Sequence, residues 1–262
     1  MGRVRPAVRD HEGDHLRAVL VTGASGGIGA AIAHAFAEAG DRVAVHYSSR
    51  RAEAERVVAG LPGEGHVAIG ADIADPAQAR ELVDGAAKAL GGLDVLVNNA
   101  GVERPHPVLE VSYEEWQRAW AHITSINLIG PANVAFCAVQ HMRDRGGRII
   151  NVSSRSASRG EPDQIAYAAA KAGLNAMGQS LAKAVGGRGI AVTTVAPGFV
   201  DAGMADPIMA GPQGDEIRAQ SPFGRVATAE EVAQAVLYFA SPAAEFASGA
   251  ILDLFGASHL RS

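Results

Sequence analysis

Read for polarity alone, the chain alternates short apolar runs with longer segments in which apolar positions return every three or four residues. The short runs predict strands at Ala18 to Thr22, Arg42 to Tyr47, His66 to Gly70, Asp94 to Asn98, Arg148 to Val152, Ile190 to Val195 and Ala250 to Leu254. The periodic segments predict helices at Gly27 to Ala39, Arg51 to Ala59, Pro76 to Leu90, Tyr113 to Arg145, Gln164 to Val185 and Ala229 to Ala240. Asp75 before Pro76, and Thr228 before Ala229-Glu-Glu, have the character of helix N-caps. Strand and helix in strict alternation make an α/β protein of repeated βαβ units, with seven parallel strands in one sheet flanked by helices. Pro197 to Pro222 is the one long irregular region, and a loop of that length in a compact domain tends to be functional.

Composition narrows the class. At 262 residues and 48% hydrophobic content the chain can bury a full core as a single domain, read here as residues 17–262 after an N-terminal tail over 1–16. The tail carries arginines and acids without an apolar stretch, so it is read as flexible, and the protein as cytoplasmic. A net charge of -5 without a Lys/Arg run argues against a nucleic-acid partner. No apolar run was found approaching the ~18 residues that a membrane span needs. The single Cys137 excludes an intrachain disulfide and sits in an apolar helical context, which reads as core. The nine histidines show no metal-ligand spacing, so no metal is expected.

The chemistry lies in the connections. The first strand runs into Thr22-Gly-Ala-Ser-Gly-Gly-Ile-Gly29 and then a helix, where glycines at 23, 27 and 29 let a pyrophosphate approach main-chain N–H groups at a helix N-terminus. In such a Rossmann-type, doubly wound site an acid ending the second strand would bind the adenosine ribose. Here that position reads Tyr47-Ser48-Ser49-Arg50. Without a carboxylate to repel a 2'-phosphate, and with Ser48, Ser49 and Arg50 to bind one, NADP(H) is expected over NAD(H). Further on, Tyr167 and Lys171 are four apart on one helix face, with Ser154 thirteen residues upstream of the tyrosine. An ammonium ~4 Å from a phenol at an effective dielectric of ~20 is worth roughly 4 kcal/mol, enough to lower the phenol's pKa by about three units at most.

Taken in order, Thr22-Gly-x3-Gly-x-Gly29, Asp72, Asn98-Asn-Ala-Gly101, Asn127, Ser154, Tyr167-x3-Lys171 and Pro197-Gly198 resemble the short-chain dehydrogenase/reductase family from about Ala18 to the C-terminus. Within it the look is that of the 3-oxoacyl-acyl-carrier-protein reductase-like members. The resemblance implies hydride transfer between a nicotinamide and a carbonyl or alcohol. Tyr167 would exchange the proton, Ser154 would hold the carbonyl oxygen, Lys171 would hold the nicotinamide ribose and lower the tyrosine pKa, and Asn127 would hold a water. It adds Thr22, Ser25, Ile28, Tyr47, Asp72, Ile73, Asn99, Ala100, Gly101, Pro197, Gly198 and Val200 to the cofactor site, with Tyr167 and Lys171 shared.

Three positions depart from the family pattern. Ala202 stands where a Thr often meets the cofactor carboxamide; about four extra residues precede Asn127, roughly one helical turn; and the end reads Asp253-Leu-Phe-Gly-Ala257, a region that often packs on a neighbouring subunit or the substrate loop. Substrate contacts are expected from Ser154, Tyr167, Arg155 and Met204, with a small carbonyl or alcohol, best a 3-oxoacyl thioester, as substrate. Arg145 and Arg188 hint at an acyl carrier protein, and the resemblance suggests a homotetramer. The alternatives are a non-catalytic NADP(H)-sensing regulator and an NAD-dependent sugar or polyol dehydrogenase.

Overall fold

The computed structural model describes residues 16–202 and 210–260, so all but Leu16 of the expected tail lies outside the described residues. The apolar runs form β1 (Ala18–Val21), β2 (Arg42–Tyr47), β3 (Val67–Gly70), β4 (Val95–Asn98), β5 (Gly147–Val152), β6 (Ile190–Pro197) and β7 (Ile251–Leu254). They pair in parallel as one sheet in the order β3-β2-β1-β4-β5-β6-β7. Successive side chains of a strand point to opposite faces, so Val19, Val21, Val43, Val45, Val95 and Val97 enter one apolar layer, while Ala18, Leu20, Ala44 and Leu96 enter the other.

Helices close both layers. Ile32 and Phe36 of α1 (Gly27–Glu38) and Val232 and Val236 of the last long helix cover the first layer; Ala54 of α2 (Arg51–Gly60) joins them. Leu82 and Leu90 of α3 (Pro76–Leu90), with Val134 and Met142 of the long helix after β4, cover the second. A sheet buried on both faces explains why its strands read as unbroken apolar runs. Asp75 caps α3 as expected, its Oδ1 accepting from Ala77 N–H at 2.8 Å and Gln78 N–H at 3.3 Å. Thr228 forms a reciprocal capping box with Glu231 at the start of the last long helix (Ala229–Phe239).

The helix read as Tyr113 to Arg145 is three pieces: α4 (Tyr113–Thr124), a π-helical turn (Ser125–Ile129) and α5 (Gly130–Met142). The widened turn has a local cause. Thr124 Oγ1 donates to Trp120 O at 2.7 Å, Ser125 Oγ to His122 O at 2.8 Å and Asn127 Nδ2 to Ile123 O at 3.0 Å, so side chains take carbonyls that the helix ladder would use. The helix stops at Met142 because Gly146, at φ +81°, turns the chain into β5. Contrary to the sequence reading, the continuous run Tyr113–Met142 is long and apolar enough to cross a membrane by length and composition. Its Ile123, Val134, Ala138 and Met142 are instead buried inside the molecule.

Among the described residues two short α-helices lie outside the expected elements, α6 (Ser156–Arg159) and α8 (Gly214–Ala219), the latter inside the stretch read as irregular. Between them lies α7 (Ile165–Val185), preceded by Gln164 as its N-cap; Ala229–Phe239 is α9. The strand order reverses between β1 and β4, and in an open parallel sheet that reversal opens a crevice at the C-terminal ends of the strands.

Candidate active site

The glycine turn fills one side of the crevice. Gly23 sits at φ +66°, and a Cβ there would lie 2.7 Å from Ala100 Cα; a Cβ on Gly29 would lie 2.4 Å from Gly23 O and 2.5 Å from Asn99 Nδ2. Backbone therefore packs on backbone here, with the N-terminus of α1 turned to the crevice. Thr22 is buried and its hydroxyl is spent on lacing β1 to β4: Oγ1 donates to Val97 O and accepts from Asn99 N–H at 2.9 Å and Ala100 N–H at 3.0 Å. Asn99 Nδ2 donates to Thr22 O at 2.9 Å and Gly23 O at 3.1 Å. Ser25 is buried and Ile28 packs on the core.

At the next strand end, Tyr47 lies over Gly70 of β3, where a Cβ would meet its ring at 2.9 Å. Ser48, Ser49 and Arg50 are exposed, and the Arg50 guanidinium lies near the glycine turn, 3.7 Å from where a Cβ on Gly26 would stand. Asp72 Oδ1 accepts from Ala74 N–H at 3.0 Å in a local turn, and Ile73 is packed against Gly130.

One residue missed by the sequence reading organises this half. His46 is buried; its Nδ1 accepts from Gly23 N–H at 3.0 Å and its Nε2–H donates to Ala71 O at 3.0 Å. It ties the glycine turn to the end of β3. Burial lowers its pKa, against the raising influence of the Ala71 bond and Asp72, which keeps it neutral and able to accept. The signal available was a histidine set in the apolar run Val43 to Val45 just before Tyr47.

On the other side, β5 ends at Val152 and delivers two serines in opposite senses. Ser153 Oγ donates to Lys171 O at 3.3 Å and pins α7, whereas Ser154 Oγ donates to Ser156 Oγ and accepts from Ser156 N–H, each at 3.2 Å, and lies close enough to the Tyr167 phenol to favour its ionised form. Lys171 Nζ donates to Val152 O at 2.8 Å and lies 5.7 Å from the centre of the Tyr167 ring. Asn127, fully buried on the π turn, accepts from Val102 N–H at 3.1 Å and donates to Val102 O at 2.8 Å. A Cβ on Gly101 would lie 2.7 Å from Asn127 Oδ1 and 3.5 Å from Lys171 Nζ, so Asn127, Gly101 and Lys171 meet. Asn127 of the π turn, Ser154 of the loop after β5, and Tyr167 and Lys171 of α7 come together from three elements.

The electrostatics differ from the sequence reading. Burial pushes the Tyr167 phenol up to about 12, with the nearby Ser154 hydroxyl opposing and the charges of Glu103 and Glu161 adding. Burial likewise pulls Lys171 down to about 8. The ammonium is anchored on a strand carbonyl rather than on the phenol oxygen, so its presence four residues away does not by itself lower the tyrosine.

Arg155 also departs from expectation. It is buried, its guanidinium stacks 4.2 Å from the Phe199 ring centre, Nη1 donates to Gln220 Oε1 at 3.1 Å, and Nε is 3.6 Å from Glu161 Oε1. It clamps the loop after β5 to the end of α8 instead of standing free for substrate. Pro197 and Val200 are buried and Gly198 lies under Phe255. Met204 lies outside the described residues. The unusual C-terminal run packs on the segment after α8, Ser221 Oγ donating to Gly256 O at 2.6 Å. Among the described residues no cluster of metal-ligating side chains occurs.

A family profile described as Enoyl-(Acyl carrier protein) reductase matches residues 23–254. The 3-oxoacyl-[acyl-carrier-protein] reductase FabG of Staphylococcus aureus is 35% identical over 251 residues, covering 93% of this chain and 98% of the relative. A D-threitol dehydrogenase of Mycolicibacterium smegmatis is 36% identical, covering 92% of each chain, and a cis-4-hydroxycyclohexanecarboxylate dehydrogenase of Sinomonas cyclohexanicum is 39% identical, covering 92% and 95%. A crystal structure of a short-chain dehydrogenase from Burkholderia cenocepacia in complex with NADP superposes with a TM-score of 0.83 at 35% identity, covering 92% of this chain and 97% of that one.

Proposed function

The chain belongs to the short-chain dehydrogenase/reductase family, and we propose that it is an NADP(H)-dependent oxidoreductase that interconverts a carbonyl and an alcohol at Ser154, Tyr167 and Lys171. The observation that carries this reading is the Lys171 ammonium 5.7 Å from the centre of the Tyr167 ring, with Ser154 beside the phenol, across a crevice from a glycine cradle.

The residues fit a dinucleotide. Gly23, Gly27 and Gly29, with Ser25 and Ile28, would hold the pyrophosphate; Tyr47, Ser48, Ser49 and Arg50 the phosphorylated adenosine ribose; Asp72 and Ile73 the adenine. Asn99, Ala100 and Gly101 would wall the ribose nearest the chemistry, and Pro197, Gly198 and Val200 the nicotinamide end. When bound, the nicotinamide supplies or accepts the hydride. In reduction Ser154 donates a hydrogen bond to the carbonyl oxygen, and Tyr167 gives its proton to the oxygen as negative charge gathers there. A phenol held near about 12 is fully protonated at neutral pH and so is ready as the acid in that direction. Lys171, at about 8, is still largely cationic at neutral pH and would hold the nicotinamide ribose. The Asn127 side-chain amide is spent on Val102 and Ile123, so a water would fall to its carbonyl. Support for that comes from Pro131, which has no N–H to give the carbonyl its usual partner four residues on.

A 3-oxoacyl thioester or similar ketone is the substrate we favour. The carrier-protein reading draws no support from Arg145 and Arg188: both precede strands, at the N-terminal ends of the strands and away from the crevice at their C-terminal ends, and Arg145 is 3.9 Å from Asp94. A cytoplasmic homotetramer is the assembly and setting that we propose. The regulator alternative is not favoured, because the full set of proton-transfer residues is present.

The test is NADPH consumption against 3-oxoacyl thioesters, diketones, keto-polyols and cyclohexanone carboxylates, with Tyr167→Phe beside the wild type. We expect turnover with at least one ketone and a fall of roughly a thousandfold in the Phe variant with NADPH affinity kept. Turnover retained in Tyr167→Phe sinks the assignment.

A further inference from the structure

Tyr167 is the third residue of α7, in the turn whose backbone N–H groups have no acceptor within the helix. The residue that should cap that turn, Gln164, makes no capping bond. The acceptor comes from elsewhere in the chain. His106, in the loop between β4 and α4, takes the Ala166 N–H on its Nε2 at 3.0 Å. Its Nδ1–H donates to Arg104 O at 2.7 Å, and its backbone N–H donates to Asp163 O at 2.7 Å. The ring is 2% exposed and stands edge-on to Trp116, centroids 5.5 Å apart. A backbone N–H can only donate, so Nε2 carries the lone pair and Nδ1 the proton. Every polar atom of the imidazole is thus committed to holding the loop wall against the first turn of α7.

We propose that His106 is a positioning residue for Tyr167, a cap supplied by the loop after β4 that fixes the first turn of α7 and with it the phenol against Ser154. The inference rests on the proposed role of Tyr167. Loss of an N-cap acceptor loosens the helix turn it serves, and a proton donor displaced by a fraction of an ångström loses rate before it loses cofactor. The glycine cradle and Arg50 are on the far side of the crevice and make no contact with this cap, so cofactor affinity and rate should part company.

The experiment compares His106→Phe, which fills the ring's space without an acceptor, and His106→Gln, whose Oε1 falls near Nε2. For His106→Phe we expect kcat to fall about tenfold with the NADPH Kd unchanged. Amide hydrogen exchange at Ala166 and Tyr167 should quicken over that of the helix interior, and His106→Gln should restore most of both. Wild-type kcat and exchange in His106→Phe overturn the inference. So does a fall in kcat matched by loss of NADPH affinity and of Tm and not relieved by Gln, since that marks a merely structural histidine. If Tyr167→Phe proves active, the proposed function fails, while exchange at Ala166 still decides whether His106 is the cap.

Discussion

Lys171 shows what the site costs a single residue. Its folded pKa of about 8 lies well below its ordinary 10.5, a difference of about 3 kcal/mol against folding at neutral pH. Between those two values the unfolded chain binds more protons than the folded one, so stability from this group is lowest below pH 8 and recovers as pH rises toward 10.5. Tyr167 acts above that window: raised from 10.0 to about 12, it leaves the unfolded chain to ionise first, and stability falls from pH 10 upward. Lys171→Met should therefore abolish turnover yet raise stability at pH 7.5 by about 1–3 kcal/mol, after losing the bond to Val152 O. The gap to wild type should shrink by pH 10 in urea titrations, and an equal gap at both pH values would refute the assigned cause. At this scale the spacing of Ser154, Tyr167 and Lys171 was readable because a helix places residues four apart on one face. His46 and His106 were not, because each earns its role from partners 23 to 60 residues away that no local pattern records.

The turn between β1 and α1 is the element on which cofactor binding stands, and Gly29 is its least replaceable residue. A methyl at 2.4 Å from Gly23 O has nowhere to go, because Asn99 Nδ2 closes the other side at 2.5 Å and is itself bonded to Thr22 O and Gly23 O. Gly29→Ala must open the turn, so we expect NADPH affinity to drop by more than about tenfold, with a loss of about 1–3 kcal/mol in stability. A Kd within twofold of wild type, measured by titration calorimetry, would remove the turn from the cofactor site. Strands and helices were legible from the sequence because the doubly covered sheet demands unbroken apolar runs and the caps at Asp75 and Thr228 are local. The π turn was not. It arises from Thr124, Ser125 and Asn127 each capturing a carbonyl, a competition that apolar periodicity does not register. The helix α8 hid in a Pro/Gly-rich stretch for the same reason, being too short to show a period.

For the whole molecule, the proposed assembly rests on the outward apolar side chains. Ile129 and Phe136 on the long helical run, and Phe246 and Leu252 beside β7, are exposed, and β7 is an edge strand of the sheet. An edge strand and large exposed apolar groups invite association. The run Tyr113–Met142 is long and apolar enough to cross a membrane because it is apolar on more than one side. One side is accounted for by Val134, Ala138 and Met142 in the core, and the other by Ile129 and Phe136, which a second copy of the chain would cover. A stable interface needs about 1,000 Å² or more, which helix-on-helix contact along such a run can supply. Light scattering at micromolar concentration should then give four times the 26.9 kDa of one chain. Phe136→Arg, a charge placed at the centre of the proposed contact, should halve that mass or reduce it to one chain with the sheet intact by circular dichroism. A wild-type monomer would leave the exposed phenylalanines without their proposed partner, and a tetramer unmoved by Phe136→Arg would place the contact elsewhere than on this helix.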